Sequence, residues 1–160
     1  MSAMGSLTLD DRGIVAACAS CGQRNRLVFD RLDGTVRCAK CKHPLSAPSE
    51  PVEISTTADF DRVIAQSSLP VLVDYWAPWC GPCRIVAPEV QKVAARYAGR
   101  ALVIKVNTDE LTDVGQRFGI RSIPTLAVFA GGREITRVAG ARPAPEIEAL
   151  LQQAAPAHRS

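Results

Sequence analysis

Six cysteines, arranged as three separate Cys-x-x-Cys pairs, constrain the fold of this chain more than any other feature of its sequence. In a reducing compartment, where stable disulfides are rare, such pairs are usually metal ligands or catalytic thiols. The 160 residues suffice for one core of about 100 residues and a smaller unit beside it. The sequence therefore predicts two unequal units that contain the pairs Cys18 with Cys21, Cys38 with Cys41, and Cys80 with Cys83.

The first two pairs have the spacing of a four-thiolate zinc site, because 16 residues, 22–37, separate them. Each short turn lets two thiolates bind one side of a tetrahedral ion, so that the two turns together complete the site. Disulfides among these cysteines, and no ligand at all, stay open as alternatives, whereas His43 is expected to be a solvated loop residue. We expect a zinc ribbon over 14–45 that binds one Zn²⁺, structural or redox-sensing, through Cys18, Cys21, Cys38 and Cys41.

A linker over 46–51, with two prolines among small residues, precedes a second domain over 52–155. In this domain apolar runs alternate with segments of helical period, which predicts the order βαβαβαββα. We therefore expect an α/β fold, with a mixed central sheet flanked by helices on both faces. Strands are expected at 52–55, 71–75, 101–107, 125–130 and 134–139, and helices at 81–97, at 112–118, after a cap at Thr57 and from Pro145. The helix over 81–97 should bury Ile85, Val86, Val90, Val93 and Ala94, and 154–160 should form a loose tail.

The third cysteine pair falls where the strand ending at Tyr75 gives way to the long helix, which places Cys80 at a helix N-terminus. The unpaired N–H groups of a first helical turn favour thiolate over thiol at that position. Pro82 suits this turn because it has no N–H to lose, and Cys83 lies one turn further on the same side, within reach of a disulfide. We expect the Cys80 thiolate to attack a substrate disulfide and Cys83 to resolve the mixed disulfide. A metal-binding pair is the alternative.

The segment over 73–83, Val-Asp-Tyr-Trp-Ala-Pro-Trp-Cys-Gly-Pro-Cys, resembles the active-site block of the thioredoxin family, and Ile-Pro-Thr over 123–125 resembles its second motif. This resemblance, over about 52–153, implies a thioredoxin fold and a protein-disulfide reductase. A zinc ribbon ahead of such a domain, with the segments 107–109 and 118–124, is similar to the zinc-containing bacterial thioredoxin 2 subgroup. The resemblance also implies protein disulfides as substrates, an NADPH-dependent thioredoxin reductase as partner, and no bound organic cofactor.

Two charged residues interrupt the apolar strands of the second domain. A carboxylate in a strand covered on both sides is costly, so the pKa of Asp74 is expected to be raised. By the resemblance, Asp74 exchanges a proton with Cys83, and Lys105 lies beside Asp74. An Asp74–Lys105 pair kept only for structure is the alternative.

By the same resemblance, Pro124 follows a cis peptide bond and places the backbone of Ile123 against the active-site disulfide. An extended substrate strand could then bind that backbone beside an apolar patch. Trp76 is expected to be chiefly a packing residue. The expected substrate-binding residues are Trp79, Gly81, Pro82, Ile123, Pro124 and Gly140.

Charge and hydropathy argue against other classes of protein. The net charge is +3, from 19 Lys and Arg against 16 Asp and Glu, which gives little attraction to phosphate, so no nucleic acid is expected. No apolar run reaches the ~18 residues of a membrane span, and the first residues lack the features of a signal peptide. We therefore expect a cytoplasmic monomer that binds no membrane. The alternative function is a redox-switched chaperone or protein-binding module, in which oxidation ejects zinc and exposes apolar surface.

Overall fold

The computed structural model describes residues 7–45 and 47–154. Ser46 of the expected linker and 155–160 of the expected tail lie outside these residues, whereas Ala154 is buried at the end of the last helix rather than loose. The described chain forms two sheets, one before the linker and one after it. None of the helices in the described ranges has the length and apolar content needed to cross a membrane.

The first sheet is antiparallel, and its three strands follow one another in sequence order. Its strands are β1 (Thr8–Leu9), β2 (Gly13–Ala17) and β3 (Arg24–Val28), and a 3₁₀ turn follows over Phe29–Arg31. The strands β2 and β3 approach closely because Gly13 has no side chain, and a Cβ atom there would overlap the carbonyl oxygen of Leu27. The first cysteine pair lies in the turn between β2 and β3, and the second pair follows the 3₁₀ turn.

The second sheet has five strands in the order β4-β6-β5-β7-β8. The strands β4 and β5 both run parallel to β6, whereas β7 runs antiparallel to β5 and β8. The mixed sheet and the order βαβαβαββα after the linker confirm the predicted α/β fold. Its elements are β4 (Val52–Ile54), α1 (Thr57–Gln66), β5 (Val71–Trp76), α2 (Gly81–Arg96), β6 (Leu102–Asn107), α3 (Thr112–Arg117), β7 (Thr125–Ala130), β8 (Arg133–Ala139) and α4 (Ala144–Ala154).

Helices cover both faces of the second sheet, and the two-residue period of a strand decides which side chains each face buries. Along β5, Val73 and Tyr75 pack in the cluster that includes residues of α1 and α3, and Leu72 packs in the cluster with α2 and α4. Asp74 alternates with Val73 and Tyr75, so it points to the face covered by α2. On the opposite face three rings pack edge to face, namely Phe60, Phe118 and Phe129.

Three details of the predicted helices are wrong. Ile85 is 68% exposed, because the buried stripe of α2 runs through Val86 and Val90, and Ile85 lies about 100° around the helix from Val86. The cap of α1 is Thr56 rather than the next residue, since the N–H of Asp59 donates to the Thr56 Oγ1 at 3.1 Å. The helix α4 begins one residue earlier than predicted.

The N-terminal segment packs against the end of the second sheet at which β5 and β6 begin. Phe29 is 1% exposed and belongs to one apolar cluster with residues of α1 and of the five-stranded sheet. Ser68, which precedes β5, donates its N–H to the carbonyl oxygen of Phe29, and its hydroxyl oxygen accepts from the N–H of Leu32, both at 3.0 Å. The two sheets therefore share a core, and the contact lies opposite to the end of β5 from which the chain enters α2.

Candidate active site and candidate metal centre

The Cys80–Cys83 pair lies at the junction of β5 and α2, where the two residues form a disulfide with Cα atoms 5.3 Å apart. Cys80 is the N-cap of α2, and the N–H of Cys83 donates to the Cys80 Sγ at 3.2 Å. Pro82 occupies the first helical turn, where its missing N–H costs no hydrogen bond. A thiolate at Cys80 is therefore stabilised by a directed N–H and by the positive end of the helix dipole.

The loop before β7 lies against this disulfide. The peptide bond between Ile123 and Pro124 is cis, as the family resemblance implies, and the Ile123 carbonyl oxygen lies 3.7 Å from the Cys80 Sγ. The carbonyl oxygen of Pro124 accepts from the N–H of Gly140 at 2.8 Å, which brings Gly140 to the same loop. A partly exposed backbone segment beside a disulfide suits a substrate bound as an extended strand.

Trp79 forms the exposed side of the site, since 68% of it is accessible beside the buried Cys80. Its Nε1 donates to the two carboxylate oxygens of Asp109 at 3.3 and 3.1 Å. Gly81 and Pro82 are exposed on the next turn. No local pattern in the sequence points to Asp109, because the loop after β6 reaches Trp79 only through the pairing of β5 with β6.

Asp74 is 1% exposed, and neither of its carboxyl oxygens has a hydrogen-bond partner. Burial raises the pKa of Asp74 to about 6, while the charge of Lys105 acts in the opposite direction and that of Glu53 raises it further. The predicted rise is therefore confirmed. A carboxyl group with a pKa in this range can take up and release a proton close to neutral pH.

Lys105 pairs with Asp74 in the register of β5 and β6, so the two residues are neighbours, as the resemblance implies. Its ammonium nitrogen lies 4.8 Å from the centroid of the Trp76 ring and takes part in none of the ion pairs that the described residues form. On the other side of Lys105, β4 presents Glu53, which accepts a hydrogen bond from the Trp76 Nε1 at 3.2 Å. The sequence gives no sign of Glu53, because its contact depends on the strand order β4-β6-β5.

The other four cysteines form a second cluster, in which all four Sγ atoms lie within 4.8 Å of one another. The Cys18 and Cys41 Sγ atoms are 3.8 Å apart, and those of Cys21 and Cys38 are 3.7 Å apart. Zn–S bonds of about 2.3 Å in tetrahedral geometry place sulfur atoms about 3.8 Å apart, so the cluster fits such an ion. His43 is exposed and is not a member of the cluster, and its carbonyl oxygen accepts from the Cys38 N–H at 2.9 Å.

Two matching turns build this cluster. The N–H of Gly22 donates to the Cys18 carbonyl oxygen at 2.8 Å, and the N–H of Lys42 donates to the Cys38 carbonyl oxygen at 3.0 Å. In each turn the N–H two residues after the first cysteine also donates to the Sγ of that cysteine at 3.4 Å. Hydrogen bonds of this kind favour a charged sulfur, which is the form that binds a metal.

Comparison with known proteins gives a consistent family assignment for the second sheet and its helices. The family model described as Thioredoxin matches residues 51–153. Thioredoxin 1 of Nostoc sp. is 49% identical over 98 residues, which are 61% of this chain and 92% of that protein. The chloroplastic M-type thioredoxin of Chlamydomonas reinhardtii is 51% identical over 94 residues, 59% of this chain and 67% of that protein.

Solved structures give the same result for the fold. A mutant thioredoxin from Halobacterium salinarum superposes with a TM-score of 0.61 at 31% identity, over 66% of this chain and 91% of that chain. The range matched by the family model includes the Cys80–Cys83 disulfide and leaves out the four-cysteine cluster.

Proposed function

The chain belongs to the thioredoxin family, and on that premise we propose that it reduces disulfide bonds of protein substrates through a mixed disulfide formed by Cys80. Membership of this family makes the chain a protein-disulfide oxidoreductase. One observation supports the proposed direction of attack: the Cys80 Sγ lies at the N-terminus of α2, where the Cys83 N–H donates to it, and faces the loop of Ile123.

The reaction proceeds in two exchanges. In the first, the Cys80 thiolate attacks one sulfur of the substrate disulfide, a Cys80–substrate disulfide forms, and the other substrate sulfur leaves as a thiolate. In the second, Cys83 attacks the Cys80 Sγ, the Cys80–Cys83 disulfide forms, and the remaining substrate thiolate leaves. The substrate gains two electrons and the Cys80–Cys83 pair loses two.

Asp74 takes the proton that Cys83 must lose before the second exchange. Its carboxyl group is buried and unpartnered, and its raised pKa of about 6 keeps a proton acceptor available at neutral pH. Lys105 stands beside it and limits the cost of the buried charge. The backbone of Ile123, with Trp79, Gly81, Pro82, Pro124 and Gly140, binds the substrate segment next to its disulfide.

Trapping tests the assignment of the two cysteines. With Cys83→Ser the first exchange has no resolving thiol, so a stable Cys80–substrate disulfide should accumulate on a non-reducing gel. The matched variant Cys80→Ser should trap nothing. Equal trapping by both variants would contradict the proposal.

At the other end of the chain, we propose that Cys18, Cys21, Cys38 and Cys41 bind one Zn²⁺, which supplies folding energy to the N-terminal segment. The sulfur spacing described above supports this ligand set. The zinc-to-protein ratio of freshly purified, reduced protein should be close to one. A ratio near zero, with disulfides among the four cysteines, would contradict it.

We also propose which enzyme regenerates the Cys80–Cys83 dithiol and in which compartment the chain is located. An NADPH-dependent thioredoxin reductase would return the Cys80–Cys83 disulfide to the dithiol, and a cytoplasmic location would keep the four-cysteine cluster reduced. NADPH oxidation in a mixture of the chain, a bacterial thioredoxin reductase and a protein disulfide tests the partner, and light scattering tests the expected monomer.

One observation favours a second function, a redox-switched chaperone. Phe29 and Leu32 are buried in the core shared by the two sheets, so loss of metal and unfolding of the N-terminal segment would expose apolar surface. A variant that combines Cys80→Ser with Cys83→Ser should then still protect an unfolding client protein after treatment with peroxide. Loss of that protection would leave the reductase as the single function.

A further inference from the structure

Three charged residues form a row across the second sheet: Glu53 on β4, Lys105 on β6 and Asp74 on β5. Residues paired across adjacent strands point to the same face of a sheet, so all three lie on the face covered by α2. Lys105 thus stands between two carboxyl groups. One ammonium group cannot neutralise both carboxylates. The position of the Lys105 ammonium therefore decides which of the two it stabilises more.

Trp76 fixes that position. Its Nε1 donates to Glu53 Oε2 at 3.2 Å, and its ring lies 4.8 Å from the Lys105 Nζ. The indole is therefore held at one edge by the Glu53 carboxylate while its face attracts the ammonium group. Asp74 is left with two buried oxygens that have no hydrogen-bond partner.

We propose that Glu53 is a positioning residue of the catalytic site, which orients the Trp76 indole and shares the charge of Lys105, and thereby keeps Lys105 from forming an ion pair with Asp74. This inference rests on the proposed role of Asp74 as proton acceptor for Cys83. Glu53 touches neither cysteine in the described contacts and acts only through its neighbours.

The groups that determine the protonation of Asp74 can be assigned to each neighbouring element. They are Lys105 on β6 and Glu53 on β4. The strand β7 presents the apolar Leu126 opposite Asp74, and the Cys80–Cys83 pair at the start of α2 is a disulfide without a charge. Glu110, in the loop after β6, raises the pKa of Glu53. Without the negative charge at position 53, Lys105 would stabilise the ionised form of Asp74 alone, and the pKa of Asp74 would fall.

The test is the titration of the Asp74 carboxyl carbon, followed by carbon NMR in the full-length oxidised protein with its metal. With Glu53→Gln the amide oxygen can still accept from Trp76 while the charge is lost. A unit charge two strands away acts over roughly 10 Å, so the midpoint of Asp74 should move toward acid by about half a pH unit to one unit. In the unmodified protein two interacting carboxyl groups should give a two-step curve, which Glu53→Gln should reduce to one step.

Two variants make the test specific. Glu53→Asp retains the charge and should keep the two-step curve. Glu110→Gln removes a negative charge near Glu53 but keeps the Trp76–Glu53 hydrogen bond, and should leave the Asp74 midpoint within the error of the unmodified protein. An unchanged midpoint in Glu53→Gln, or an equal shift in Glu110→Gln, would overturn the inference.

The pH dependence of disulfide reduction separates this inference from the proposed function. If both hold, the acidic limb of the rate profile should move with the Asp74 midpoint in Glu53→Gln. A midpoint that moves while the rate profile stays would reject the role of Asp74 as proton acceptor and keep the positioning role of Glu53. Far-UV circular dichroism of each variant establishes that the fold is retained.

Discussion

Among the residues that the structure describes, Asp74 is the fully buried carboxyl side chain, and its burial opposes stability when it is ionised. Its pKa in the folded protein, about 6, exceeds its ordinary value of 3.8, so the folded state binds its proton more tightly than the unfolded state does. The resulting stabilisation is complete below about pH 4 and is lost as the pH rises through about 6. At neutral pH the ionised group therefore lowers the stability of the fold, a cost that the proposed role of Asp74 as proton acceptor entails.

The variant Asp74→Asn should remove that cost. At pH 8 its free energy of unfolding should exceed that of the unmodified oxidised protein by about 3 kcal/mol, since one pKa unit corresponds to about 1.4 kcal/mol. At pH 4 the gain should disappear, because Asp74 is then protonated. Urea unfolding at both pH values measures the difference, and a gain of equal size at pH 4 would show that packing rather than charge is responsible.

The position after the second cysteine is glycine in one cysteine turn and lysine in the other, which provides an internal comparison. Gly22 has φ +81 and Lys42 has φ +66, both in the left-handed region, where a side chain other than glycine is disfavoured. Lys42→Gly should therefore stabilise the metal-bound protein by about 1 kcal/mol, and Gly22→Ala should destabilise it by a similar amount. In competition with a zinc chelator, the apparent zinc affinities of the two variants should shift in opposite directions. Shifts in the same direction would rule out the conformational explanation.

At the scale of elements, the 3₁₀ turn after β3 joins the two sheets. Phe29→Ala removes a ring that is 1% exposed and should cost about 3 kcal/mol or more. Because the lost contacts lie between the N-terminal segment and the second sheet, calorimetry should show the unfolding of that segment separating from the main transition. The matched control Val28→Ala, at a residue that is 41% exposed, should leave a single transition near the original temperature. A single unshifted transition in Phe29→Ala would contradict a shared core.

The sequence predicts those parts of the site that local spacing determines. Cys80 and Cys83 lie at a helix start because strand, Gly-Pro and helical period follow directly in the chain, and the burial of Asp74 follows from its place in an apolar run. Local spacing does not predict the hydrogen-bond partners of Trp76 and Trp79. Glu53 and Asp109 reach these rings only through the pairing of β4, β6 and β5, which is a long-range property. Ile85 is assigned to the wrong face because an error of one residue rotates a helical position by about 100°.

At the scale of the whole molecule, the four-cysteine cluster belongs to the unit that contacts the second sheet at the end where β5 and β6 begin. The disulfide lies at the opposite end of β5, a strand of six residues that spans about 20 Å. Removal of zinc by a chelator should therefore lower the unfolding temperature of the N-terminal segment and leave the initial rate of disulfide reduction unchanged. Parallel loss of rate and metal would show that the segment acts on the catalytic site directly.

The contact between Phe29 and Ser68 also determines through which residues the protein can be immobilised or labelled without blocking the disulfide. Attachment to a resin or to a fluorescent label through an exposed residue of the first sheet, such as Arg26, leaves the Trp79 side open to large substrates. Attachment through the first turn of α2 would bury the reacting sulfur under the support. A chain attached through its first sheet thus keeps the Cys80–Cys83 disulfide accessible from solution.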